Sequence, residues 1–367
     1  MRVLVVANFF MSYNRSILHG AASYARLHKW TLTYTDARWG TAAERLKEID
    51  ALLLGVHDFE TDSDWLKSKL PRVGWSASQA KTPWPRVLTD NIAVGHRVAE
   101  HFLASGYRHF AFCPNWHGIW STSRLEGFQS RLQAAGYSVA VAPAGADVTA
   151  EWLKTLSLPC GLMVSRDSSV EAVLAECSRA SLRVPEDVAI VGVGNDELVC
   201  EITDPPLSSV PHQSEQIGYQ AAAILDRLVH DRSYKPPEIT LIPPGELVVR
   251  RSSDAMVFDD PMLVEAMRFI KANQSETIGT KQVVSHVGTS RVTLDTKFMA
   301  AMGMTVAAVI RRMRIDKAKL LLSSSDLPMP AVARHSGFSC ARQLSKTFHH
   351  YTGHTPTGYR RLFMLGG

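Results

Sequence analysis

The sequence predicts two architectures in one chain: a two-lobed α/β unit over residues 1–251, then an all-α unit over 261–367 carrying two helix-turn-helix motifs. Three observations predict this. Short β-branched or apolar runs alternate with helical segments through the first two thirds of the chain. A segment of the last third repeats itself, with Gly303/Gly353, Thr305/Thr355 and Arg311/Arg361 at one constant offset. Charge is divided as well: from Phe258 onward 15 Lys/Arg face 7 Asp/Glu, a net +8 in a chain of total charge +5, which leaves −3 for the rest. An acidic front and a basic back suit a sensor joined to a polyanion binder. A chain of 367 residues also exceeds what one core usually serves, so two or three domains are expected.

Val3–Ala7 reads as a buried first strand and Ser16–Leu27 as a helix. Thr31–Thr35, Leu52–Val56, Val73–Trp75 and Val87–Thr89 follow as short strand-like runs, the pattern of a parallel sheet covered on both faces. Asn91–Ala104 continues as a helix that Gly106 ends, and His109–Phe112 is the next strand. The pattern restarts at Cys113-Pro114-Asn115 with a helix over Ser123–Ala135. Strands follow at Val139–Val141, Gly161–Val164 and Val188–Val193, with a helix near Ser169–Ala180 between the last two. Pro205–Val210 and Ile239–Ile242 look extended, with a helix over Ser214–Val229 between them. The expected lobes are 1–113 with 241–251, and 114–240. Ser252–Asp260 is the expected linker, ahead of Pro261 at the first turn of a helix.

Five scattered cysteines with no C-x-x-C make zinc and a disulfide scaffold poor expectations and suit a reducing, cytoplasmic compartment. No cofactor or metal is expected. The apolar start, Met1–Asn8, is too short for an export signal, and no stretch approaches the ~20 apolar residues of a membrane span.

Near the C-terminus, Val332-Ala333-Arg334-His335-Ser336-Gly337-Phe338-Ser339 precedes Leu344, Phe348, Gly353, Thr355-Pro356 and Tyr359-Arg360. This reads as a helix, a glycine turn, a second helix with apolar residues four apart, and a capping tail. Ser285–Ser290, Leu294, Phe298, Gly303, Thr305 and Arg311 form the earlier copy, and a long helix, Val306–Leu322, joins the two. The spacing A-x-x-x-G-F-S, L-x-x-x-F, G-x-T-P-x-x-Y-R resembles the signature of the AraC/XylS family of transcription regulators. Gln343 stands where that family usually has an aromatic residue. The resemblance implies that the second helix of each motif enters the major groove of double-stranded DNA. With Leu294/Phe298 and Leu344/Phe348 facing inward, Arg291, Val292, Asp295 and Thr296 face out in the first copy. Ala341, Arg342, Ser345 and Lys346 do so in the second. Arg342 is the best candidate for a bidentate guanine contact. Lys297, Arg311, Arg312, Arg314 and Arg360 are candidates for phosphate, and Thr289 or Ser290, and Ser339, for helix caps that present N–H groups to phosphate.

In the front unit, Val184–Val193, Pro206–Val210 and Ile217–Ala222 resemble blocks of LacI-type sensors, which have a periplasmic-binding-protein-like fold. That resemblance implies a small polar ligand in a cleft at the carboxyl ends of the strands. Arg124, in Arg124-Leu125-Glu126-Gly127, matches the R-x-x-G whose Arg contacts sugar hydroxyls. Tyr13, Asn14 and Arg15 follow the first strand, where a similar polar triplet is expected. Asp90-Asn91, Asn115-Trp116 and Arg166-Asp167 also sit at strand ends. Asn8, Trp39, His57 and Trp120 are weaker candidates. Gly194 replaces the Asp that such sensors usually carry, so either Asn195 or Asp196 substitutes for it or the ligand is different or bulkier, such as another sugar, a sugar acid or an oligosaccharide; the expected effector is a sugar or sugar derivative of unspecified identity. Homodimerisation, promoter half-sites, recruitment of RNA polymerase and activation are implied by the family alone. The competing expectation is an enzyme or small-molecule binder with a basic accessory domain; no G-x-S-x-G, P-loop or H-E-x-x-H supports the enzyme.

Overall fold

The first strand, β1 (Arg2–Ala7), is buried along all but its first residue because it lies between two covered faces. The computed structural model describes residues 1–36, 46–55, 67–76, 82–114, 118–143, 148–258 and 260–364. Its contacts divide the chain into one unit of Met1–Leu103 with Tyr107–Ala255, and a second of Met256–Gly367 with Ala104–Gly106.

In the first unit, β1 is joined by β2 (Thr31–Thr35), β3 (Ala51–Gly55), β4 (Arg72–Gly74), β5 (Arg86–Thr89) and β11 (Ile239–Ile242). They form a parallel sheet in the order β11-β5-β4-β3-β1-β2. Helices α1 (Ser12–Leu27) and α7 (Ser214–His230) cover one face, where Ile17, Ala21, Ile217, Ala221 and Leu225 pack on Val3, Val5, Leu53 and Val87. The two helices touch at glycines: a Cβ on Gly20 would stand 1.9 Å from Glu215 O, and one on Gly218 1.8 Å from Ile17 O.

The second sheet has the order β10-β9-β8-β6-β7, all parallel. Its strands are β6 (His109–Cys113), β7 (Val139–Val141), β8 (Cys160–Val164), β9 (Val188–Gly194) and β10 (Ser208–Pro211). Phe102, Phe110, Phe112 and Phe128 interlock on one face. Leu162, Val164, Val170, Val173 and Ile190 fill the other. Helices α2 (Asn91–Ala104) and α3 (Ile119–Gln133) cross on the aromatic side, again at glycines. A Cβ on Gly95 would lie 2.3 Å from Arg124 O, and one on Gly127 2.1 Å from Ile92 O. The other helices of this half are α4 (Ala150–Lys154), α5 (Val170–Arg179) and α6 (Glu197–Ile202).

These sheets correct the expected lobe boundaries. β6, expected in the first lobe, is hydrogen-bonded between β7 and β8 in the second, and α7, expected in the second, covers the first sheet. The chain changes lobe near Asp90, near His212 and between Ile242 and Val248. The expected linker also starts too early. Ser252 and Ser253 are buried, and Ser252 Oγ donates to Ile190 O (2.7 Å) while accepting from Ser208 N (2.8 Å).

The second unit begins with α8 (Pro261–Ala272), with Pro261 in the first turn and Asp260 capping Met262 N at 2.9 Å. α9 (Thr280–Val287) and α10 (Arg291–Met302) form the first helix-turn-helix. α12 (Met329–His335) and α13 (Ala341–Thr352) form the second, and α14 (Pro356–Met364) closes the chain. Gly288 and Gly337 at the turns and Gly303 and Gly353 after the reading helices all take positive φ, so the sequence repeat is a backbone repeat. The linking helix α11 (Val306–Ser324) serves two cores. Val306, Val309 and Ile310 pack with Leu294 and Phe298, whereas Ile315, Ala318 and Leu322 pack with Leu344 and Phe348.

Candidate functional site

The carboxyl ends of strands from both sheets converge on Arg124. The α2–α3 glycine crossing puts the start of α2 beside the Arg124 turn of α3, and there Arg124 Nε donates to Asn91 Oδ1 at 2.8 Å. Nη1 donates to Ser165 O after β8, and Nη2 to His212 Nδ1 (3.5 Å) after β10. The guanidinium lies over the Trp120 ring, with Cζ 4.7 Å from the ring centre. Arg124 is 4% exposed, and burial pushes its pKa down to about 10 against the pull of Tyr13 and Asp167. Tyr13, at the start of α1, meets His212 edge to face at 5.0 Å. Burial raises the Tyr13 hydroxyl, partly offset by Thr89 and Arg124. Burial, and then the Arg124 charge, hold His212 neutral, well below its usual 6.5.

Asp167 is the carboxylate of this wall, and it faces inward. Oδ1 accepts from Ser209 Oγ at 2.7 Å, and Oδ2 from Asp196 N at 3.0 Å and Cys200 Sγ at 3.7 Å. Burial raises its pKa, and those three donors and Arg124 pull it back. Asp167 also occupies the space beside Gly194, where a Cβ would stand 3.0 Å from Oδ2 and φ is +133°. A side chain at position 194 would therefore be strained and would press on Asp167.

The other expected ligand residues divide. Asn14 is buried and spent on structure: Nδ2 donates to Asn8 O (2.8 Å) and Oδ1 accepts from Trp75 Nε1 (3.0 Å). Arg15 ties the β1–α1 loop by donating to Phe9 O and Phe10 O. Asp90 Oδ1 caps α2 by accepting from Ala93 N at 2.9 Å. Asn195 Oδ1 accepts from Arg250 Nη1 at 2.9 Å. Asn115, Trp116, Trp39 and His57 lie outside the described residues. Sequence reasoning missed His212 and Ser165; the signal available was that each directly follows a buried strand of a parallel sheet.

In the second unit the reading helices stand on the expected residues, with Leu294, Phe298, Leu344 and Phe348 fully buried. Ser290 caps α10 by accepting from Thr293 N at 3.0 Å. Arg291 and Thr296 are exposed, and Val292 is 77% exposed. Arg342, Ser345 and Lys346 are exposed on α13, whereas Ala341 packs partly against the second core. Five expectations change. Asp295 Oδ1 accepts from Val306 N at 3.0 Å and so secures the start of α11. Lys297 Nζ pairs with Asp260, the cap of α8. Arg314 donates to Glu276 O and Ile278 O, and Arg360 to Leu327 O, so both brace backbone carbonyls. Cys340, not Ser339, occupies the cap of α13. Gln343 Oε1 reaches back to accept from Ser339 N (3.0 Å) and Ser339 Oγ (2.9 Å). Both basic side chains of the first reading helix are thus paired, Arg291 with Asp295 and Lys297 with Asp260, whereas Arg342 and Lys346 of the second are exposed.

A two-lobed α/β unit joined to a doubled helix-turn-helix defines a DNA-binding transcription regulator. Residues 99–253 match the periplasmic binding protein-like domain family, and residues 283–362 a helix-turn-helix domain family. The chain is 27% identical over 380 residues to the xylose operon regulatory protein of Escherichia coli (strain K12), covering 98% of this chain and 96% of that one. It is equally identical to the protein of that name from Haemophilus influenzae, covering 98% of each. A solved xylose-binding transcription activator superposes with a TM-score of 0.62 at 26% identity over 98% of both chains. The chain is an AraC/XylS-type transcription regulator with a LacI-type, periplasmic-binding-protein-like sensor, and not an enzyme. Among the described residues, no single helix is long and apolar enough to cross a membrane.

Proposed function

We propose that the protein controls carbohydrate-utilisation genes, as an activator, in response to a sugar or sugar-like effector bound between its two lobes. The observation that carries this is Arg124. It is buried and held by Asn91, Ser165 and His212, each on a different strand end, and its five N–H groups exceed its three protein partners. Tyr13 and Trp120 complete the effector surface in this reading, with Asp167 behind it. Effector binding draws the lobes together and shifts the population that engages promoter DNA. Arg291, Val292 and Thr296 in the first motif and Arg342, Ser345 and Lys346 in the second face the base edges. Arg311 and Arg312, both exposed on α11, face phosphate. The names of the relatives support a sugar effector. A cytoplasmic homodimer on repeated half-sites that recruits RNA polymerase is the assembly we infer from the family.

The test is fluorescence anisotropy of the full chain on the DNA upstream of its own gene, against random DNA of equal length, with and without a panel of neutral and acidic monosaccharides. The expected result is a preference for its own DNA that at least one sugar changes. Equal binding to both DNAs overturns the regulator's proposed targets, and indifference to every sugar overturns the effector class.

A further inference from the structure

Resting on the reading of the Arg124 cleft as the effector site, we propose that the effector is a monosaccharide carboxylate, a uronate or aldonate, rather than a neutral sugar. A neutral sugar hydroxyl both donates and accepts, so a cleft built for it offers acceptors as well as donors. Here, among the described residues, the oxygens of Asp167, Asn91 and Asn195 already carry protein donors. Both Asp167 oxygens accept from Ser209, Asp196 and Cys200. Asn91 Oδ1 accepts from Arg124, and Asn195 Oδ1 from Arg250. Gly194 offers no side-chain acceptor, and a side chain there would be strained at φ +133° and tight against Asp167 Oδ2.

The donors remain. Arg124 has five N–H groups and three protein partners, which leaves two on its terminal nitrogens. A guanidinium can only donate, so His212 Nδ1 accepts and its proton sits on Nε2 as a further donor. The Ser165 hydroxyl is fully buried without a partner. Charge points the same way. Among the described residues no carboxylate pairs with the Arg124 guanidinium, while the Asp167 charge is already met by three donors. A buried guanidinium on which Asp167 acts only at a distance, with no carboxylate hydrogen-bonded to it, gains from a ligand that supplies one through a charge-assisted, two-toothed contact.

The experiment is isothermal titration of the full chain with D-glucuronate, D-galacturonate and D-xylonate, each against glucose, galactose and xylose, with glucose 6-phosphate as a phosphate control. At least one acid is expected to bind roughly tenfold or more tighter than its neutral parent. That preference is expected to disappear in Arg124→Gln and to shrink in His212→Gln. Should Arg124→Gln fail to fold, the wild-type ratios and His212→Gln decide. Neutral parents binding as tightly as their acids overturn the proposal while leaving the sugar-effector reading intact. A phosphate preference overturns the carboxylate, and no binding by any of the seven overturns both.

Discussion

Gly127 lies inside helix α3 with its Cα against the start of α2. In an open helix, Gly→Ala would stabilise by about 0.8–1.0 kcal/mol. Here the added methyl would stand 2.1 Å from Ile92 O, and the reciprocal contact, Gly95 to Arg124 O, is 2.3 Å. Backbone cannot yield as a side chain does, so the helices must part by roughly 1 Å to restore van der Waals separation. Overpacking of this kind costs up to about 3 kcal/mol. Less the helix gain, the expected net loss for Gly127→Ala is ~2 kcal/mol, a fall of roughly 4–8 °C in the melting of a unit this size. Calorimetry of the full chain reads it, with Glu126→Ala, one residue away and exposed, as a control expected within about 0.5 kcal/mol of wild type. Parting the helices also withdraws Arg124 from Asn91, so effector response should weaken with stability. A Gly127→Ala variant that melts at or above the wild-type temperature would refute the claim that this glycine sets the crossing.

Three further outcomes are expected. In the reader, Arg342→Ala should relax preference at one base pair by about 1–3 kcal/mol, and Lys346→Ala should lower the salt slope of binding by about 1. Lys297→Ala should leave that slope unchanged, because its ammonium is paired with Asp260; anisotropy across a salt series separates the three. His212 is held neutral below its usual 6.5 by burial and by Arg124, so below that pH the unfolded chain takes up a proton that the folded chain refuses. Stability should therefore fall as pH drops through 6.5, and His212→Gln should flatten that part of the curve in urea unfolding. Of the five free cysteines only Cys340 is exposed, and backbone N–H groups of Gln343 and Arg342 at the start of α13 lower its thiol. Native alkylation should modify one thiol quickly and spare four, and mass mapping that finds Cys113, Cys160, Cys177 or Cys200 labelled equally fast would contradict the packing.

Much of the fold was legible because its signals are local. Buried parallel strands are short apolar runs, and the paired glycines of the repeat mark positions where the backbone must turn left-handed. The lobe assignment of β6 and α7 was not legible. Their partners are chosen by complementary surfaces far away in sequence: Phe110 and Phe112 against Phe128, Ile217 and Ala221 against the first sheet. Ser252 and Ser253 looked like linker by composition, yet the Ser252 hydroxyl is pinned between Ile190 and Ser208. At the sites, residue type was legible and direction was not. Asn14, Asp295, Lys297, Arg314 and Arg360 are polar residues in functional neighbourhoods whose polar atoms are consumed by the scaffold. Arg124 stood out in the sequence through its R-x-x-G, and the crossing explains the spacing: the glycine lets α2 approach closely enough to hold the arginine.

The shared helix α11 fixes the phase between the two reading helices. At 19 residues it is about 28 Å long, and each residue advances it by ~1.5 Å and turns it by ~100°. A single insertion between Ile310 and Ile315 would swing the second motif to another side of the axis. It would also unseat either the Val309–Ile310 grip or the Ile315–Ala318 grip. The distance and angle between the two recognised DNA segments therefore cannot drift gradually as the gene evolves. Base preferences can change one exposed side chain at a time, whereas the spacing of the operator is locked to an integer count of residues in a single rod.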